Sequence, residues 1–148
     1  MSMKERITED MKAAMRAREP QRLSTIRLLL AALKQKEIDE RVVLADADVL
    51  AIIEKLIKQR RDSISQYLAA KRQDLADVES YEVNLLQAYL PQQLAEGEIL
   101  AEIDLAIAEF GTASAKEMGK IMSILKARLA GRADMSRVSA LVKTKLAA

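Results

Sequence analysis

The chain has 148 residues, half of them hydrophobic, with 24 Lys and Arg against 22 Asp and Glu, and it contains no histidine and no cysteine. That length and apolar share can bury the core of one ordinary domain or of two small helical ones. The missing residue types exclude Ser-His and Cys-His nucleophilic pairs, imidazole acid–base chemistry, the common zinc sites and disulfides, so no metal and no cofactor is expected.

Four glycines and two prolines among abundant Ala, Leu, Lys, Glu and Gln predict an all-α chain in which the breakers mark the helix ends. Ser2 and Glu5 have capping-box spacing, and Met3, Ile7, Met11 and Met15 recur every fourth position, which predicts a first helix to about Arg18. Pro20 suits the first turn of a second helix, in which Leu23, Ile26, Leu30 and Leu33 form a stripe that Leu28 and Leu29 widen into a central helix. Asp46 or Asp48 caps a third, with Val49, Ile53, Leu56, Ile57, Ile64 and Leu68 on one face and Arg60 and Arg61 interrupting it. A fourth follows Asp74, carries Val78, Tyr81, Leu85 and Tyr89, and must stop at Pro91, where the second proline removes a donor. The boundary between two helical bundles is placed here: a larger four-helix bundle over residues 1–92 and a three-helix tail over 93–148.

In the tail the pattern predicts a helix from near Glu96 to Phe110 closed by Gly111, a second from the capping box Ser114-Ala115-Lys116-Glu117, and a third after Asp134. Charge divides sharply among them. Glu96, Glu98, Glu102, Asp104 and Glu109 make the first acidic, while eight bases and only Glu117 and Asp134 follow from Lys116 onward. A cationic helical pair of this kind suits a polyanion such as RNA. With only Phe110, Tyr67, Tyr81 and Tyr89 as aromatics, contact would run through phosphates and shape, not base stacking.

Two basic groups are candidates. Lys116, Lys120, Lys126, Arg128, Arg132 and Arg137 form the principal RNA-binding set, and Lys55, Lys58, Arg60 and Arg61 a possible second basic site. The second group has an ordinary explanation in i,i+4 pairs of Lys58 with Glu54 and Asp62, plus a bridge from Arg60 or Arg61 to another helix. Gly119 is expected to allow close helix packing, which would aim Lys120, and Gly131 and Asp134 to stop one helix and cap the next. The glycines are too far apart for a phosphate-binding loop, and no catalytic residues are assigned. No apolar run nears the roughly 18–20 residues of a membrane span, and the start lacks a secretory apolar region, so a cytoplasmic protein without a membrane partner is expected.

Five stretches in order carry a resemblance: Ile26 to Lys34, Lys58 to Ile64, Tyr89 to Leu94, Met118-Gly119-Lys120 with Met122, and Gly131 to Asp134. On these the chain resembles stand-alone members of the GatB/YqeY family, which is similar to the C-terminal region of the GatB component of aspartyl/glutamyl-tRNA amidotransferase. The resemblance implies two helical bundles and a tRNA-handling tail, without the catalytic domain that precedes this region in the amidotransferase. A carbon–nitrogen ligase label with glutamine as amido-N-donor would reflect that kinship and not a reaction of this chain. The expectation is a tRNA-binding accessory protein in translation; the alternative is a protein–protein adaptor for an aminoacyl-tRNA synthetase or amidotransferase.

Overall fold

The computed structural model describes residues 1–111 and 115–147. Among these, seven α-helices run α1 Met3–Arg16, α2 Pro20–Glu40, α3 Asp46–Ala69, α4 Gln73–Gln87, α5 Glu96–Phe110, α6 Met118–Leu129 and α7 Met135–Ala147, with a 3₁₀ turn at Ala115–Glu117 before α6. No strand occurs among the described residues, and the protein is all-α. It divides into two compact units, Met1–Leu90 and Pro91–Ala148, each with its own aliphatic core.

In the first unit α1 opens on the reciprocal capping box, Glu5 N–H donating to Ser2 Oγ and Ser2 N–H to Glu5 Oε2, both at 3.2 Å. It ends at Arg16, two residues short of the expected end, because the chain turns left-handed at Arg18 (φ 56°). Met15 is exposed, although it continues the four-residue stripe. Four residues overshoot a helical turn by about 40°, so Met15 lies some 120° around from Met3, whereas the buried pair Ile7 and Ala14, seven apart, stays on one face. On α2, Ile26, Leu29 and Leu33 are buried and Thr25 satisfies its hydroxyl on the Gln21 carbonyl at 3.0 Å, but Leu28 faces solvent.

Neither aspartate expected to cap α3 is its N-cap. That position is Ala45, which has no side-chain acceptor; Asp48 accepts the Ala45 N–H at 2.9 Å, and Asp46 accepts the Met3 N–H at 3.0 Å, tying the starts of α1 and α3 together. Short turns make α1 and α3 each antiparallel to α2, so they run alongside one another. With 24 residues against 14, α3 outruns α1 by about 15 Å at 1.5 Å per residue. Burial follows that geometry. Val49, Ile53 and Ile57 are buried, whereas Leu68 is 49 % exposed.

α4 packs back along α3, burying Ala76, Val83 and Leu86 and leaving Val78 exposed. Just past its end, the Tyr89 hydroxyl donates to Asp10 Oδ2 at 2.6 Å, and the Arg6 guanidinium sits 5.0 Å from the ring centroid. Burial, then the hydrogen bond to Asp10, pushes the Tyr89 hydroxyl well above the ordinary tyrosine range.

The second unit packs α5, α6 and α7 around Ile99, Ile103, Ile121, Leu125, Val138 and Val142. α5 closes on Gly111 at φ 80°, a conformation that favours glycine. Ser114, expected to cap the next helix, lies outside the described residues.

Candidate functional site

The α6–α7 turn is held by hydrogen bonds from residues distant in sequence. Gly131 takes φ 76° just beyond α6, and Asp134 Oδ1 accepts the Ser136 N–H at 3.0 Å at the start of α7. The segment opening the second unit grips this turn. Gln93 Nε2 donates to the Gly131 carbonyl at 2.6 Å and to the Pro91 carbonyl at 3.1 Å, while the Leu94 N–H donates to the Arg132 carbonyl at 2.9 Å. The stretches 91–94 and 131–134, far apart in sequence, are therefore one hydrogen-bonded structure. Between buried Gly131 and Ala133, Arg132 is exposed, so its backbone is fixed while its guanidinium is open to a ligand.

The other five residues of the principal set stand differently. Arg128 pairs with Glu109, and Arg137 pairs with Glu96 at 2.6 Å; Lys145, outside that set, pairs with Asp104 at 3.0 Å. One acidic helix thus supplies a carboxylate to bases on both of its neighbours. The tail unit carries eight bases against seven acids. Lys116 and Lys126 are exposed. Lys120 is 71 % exposed, 3.6 Å from Glu117 and 5.4 Å from the Phe110 ring centroid.

Gly119 does not serve close packing. A Cβ added there would meet nothing within 4 Å, so Lys120 is not aimed by a helix pressed against its neighbour. In the second basic group Arg60 is a packing residue: its Nε donates to Glu82 Oε2 at 2.5 Å and its Nη1 to the Leu56 carbonyl at 3.3 Å, with both side chains about 15 % exposed. That pairing explains how a guanidinium sits beside an apolar face. Lys55, Lys58 and Arg61 are exposed.

One feature of this surface escapes a reading by residue type. Gln93 is neutral and lies in a loop, and its only sequence signal is its place in the Pro91–Leu94 stretch. The pairing of α5 with α6 and α7 has a plainer signal, since acidic and basic helices of one three-helix unit must be neighbours. Among the described residues no cluster of acids could hold a metal ion, and no helix is long and apolar enough to cross a membrane.

Comparison with known proteins gives a family and a set of relatives. The family model described as Yqey-like protein matches residues 4–146. Proteins named "Altered inheritance of mitochondria protein 41, mitochondrial" are similar: that of Vanderwaltozyma polyspora is 45 % identical over 85 residues, covering 57 % of this chain and 46 % of the relative. Those of Eremothecium gossypii and Lachancea thermotolerans are 42 % and 38 % identical over 107 and 109 residues, covering 70 % and 72 % of this chain and 58 % and 56 % of theirs. The chain spans about half the length of the curated relatives it matches. Their names overturn the cytoplasmic expectation, because they point to a mitochondrial setting. With the family model matched along nearly its whole length, the chain belongs to the Yqey-like protein family.

Proposed function

We propose that this chain is an RNA-binding accessory module, with tRNA as its ligand and with phosphate contacts made from the tail. The observation that carries the proposal is Arg132, held out on a turn whose backbone is fixed by Gln93 and Leu94, with Lys126 six residues before it on α6. An exposed guanidinium on a fixed backbone suits phosphate oxygens, because its planar fork of donors matches them two at a time. Such contacts position an RNA without reading its sequence. The resemblance to the tail of the amidotransferase's GatB component supports tRNA as the ligand class. The relatives' names make mitochondrial tRNA one pool to test.

Replacing Lys126 and Arg132 together by Ala tests the reading. Affinity for purified tRNA is expected to fall at least tenfold in a variant that retains its helical circular dichroism. Unchanged affinity removes the surface. The reading assigns no reaction to the chain, and ATP- and glutamine-dependent amidation by the purified protein would overturn that part.

The adaptor reading is second, favoured by the carboxylates of α5 that already occupy Arg128 and Arg137. Capture of a synthetase or amidotransferase that survives ribonuclease would support it over RNA binding.

A further inference from the structure

Two helices of this chain have solvent-facing sides that are apolar and oppositely charged. Between Glu19 and Glu37, α2 contains Arg22, Arg27, Lys34 and Lys36 and no acid. Its core side is Ile26, Leu29 and Leu33; opposite lie Pro20, Ser24, Arg27, Ala31 and Lys34, all exposed, with Leu28 at the edge and 50 % exposed. Pro20, Leu23, Ser24, Arg27 and Leu28 line an open depression of about 370 Å³. Arg27 and Lys34 engage no carboxylate among the described residues, and Glu19, the acid nearest this end, is taken by Arg22 at 3.1 Å.

α5 is the complement. It holds five acids and no base. Beyond its core side of Ile99, Ile103 and Ala106, it turns Gly97, Ala101, Leu105 and Ala108 to solvent, and Leu105 is 54 % exposed. A helix apolar on both sides is ordinarily covered on both. Leu105 is thus a large apolar side chain on an otherwise small-residue ridge that also carries Glu98 and Glu102, and α2 offers a depression with Arg27 in its wall and Lys34 about two turns further along the helix. RNA would use the cations of α2 but has no use for the apolar depression beside Arg27.

We propose that the solvent-facing side of α2 receives α5 of a second copy of this chain, with Leu105 seated in the depression and Glu98 and Glu102 facing Arg27 and Lys34. The contact is one of helix ridge against helix face, and the charges set its partner and orientation more than its strength. It is independent of RNA binding by the α6–α7 turn.

Sedimentation velocity over a concentration series, on ribonuclease-treated protein, tests it. The wild-type chain is expected to shift from monomer towards dimer as concentration rises, and L28E to remain monomeric with unchanged circular dichroism. R27E/K34E and E98R/E102R should each self-associate at least tenfold more weakly, and an equimolar mixture of the two should recover association, because the unchanged α2 of one meets the unchanged α5 of the other and the two charge-reversed faces are complementary as well. The inference is overturned by a wild-type chain that stays monomeric into the millimolar range, by association that survives L28E, or by a mixture no tighter than its components. If L28E loses its helical signal, the mixture alone decides, since it needs no change to an apolar residue.

Discussion

Gly119 lies in the first turn of α6 with open solvent where a side chain would be, and its backbone is helical. Nothing in the packing requires glycine there, so Gly119→Ala should stabilise the protein by roughly 0.5–1 kcal/mol through lower unfolded-state entropy and better helix propensity. Urea denaturation measures this directly; a loss of stability would show a contact that the folded chain does not display. Glu37 presents the opposite case, an acid with two partners. It takes an ion pair from Lys4 and the Leu44 N–H at 3.2 Å, which together hold its carboxyl below the ordinary glutamate value, the Lys4 contact being the larger cause. Since the folded value is the lower one, the stabilisation is fully present above the unfolded glutamate pKa of about 4.3 and is lost as pH falls through the folded value. The stability gap between wild type and Glu37→Gln should therefore be constant from neutral pH to about 5.5 and close on further acidification. A gap independent of pH would rule out this pair as a source of acid sensitivity.

At the scale of helices, the length difference between α1 and α3 decides which apolar residues count. Ile53 lies where α3 has neighbours and is fully buried, while Leu68 lies beyond the end of α1 and is half exposed. Ile53→Ala should cost about 2–5 kcal/mol by transfer and cavity terms, and Leu68→Ala within about 1 kcal/mol. Equal losses in thermal denaturation would mean that the far end of the α3–α4 hairpin is covered in solution. The sequence pattern makes Ile53 and Leu68 look alike because periodicity reports a face and not the extent of what covers it. Helix existence was legible because Pro20, Pro91, Gly111 and Gly131 interrupt the chain where turns fall. Ends were less so: Arg18, Arg41 and Lys71 adopt positive φ at helix ends where glycine is the usual signal. For the candidate site, exposure of Arg132 agrees with its residue type, but its anchoring by Gln93 depends on a tertiary hydrogen bond that no local pattern encodes.

Taken as a whole the molecule has little charge to steer a polyanion. Its first unit carries sixteen bases against fifteen acids and its second eight against seven, so any RNA affinity must come from local contacts and not from a long-range field. If Lys120, Lys126 and Arg132 each meet a phosphate, counterion release gives a log–log salt slope of about −3 for tRNA binding. The carboxylates of α5 offer a way to change that number without touching a base. Glu96 and Glu109 hold Arg137 and Arg128 in ion pairs at the surface, where such pairs are weak and exchangeable. Glu96→Gln with Glu109→Gln releases both arginines and leaves the cores of the two units intact. If the α6–α7 turn faces RNA, the double variant should bind tRNA more tightly and its salt slope should steepen by about 1–2, one for each arginine that gains a phosphate. Tighter binding with an unchanged slope would mean that removing two negative charges acts only at a distance. A slope near zero in both proteins would sink the RNA reading and leave the adaptor reading in its place.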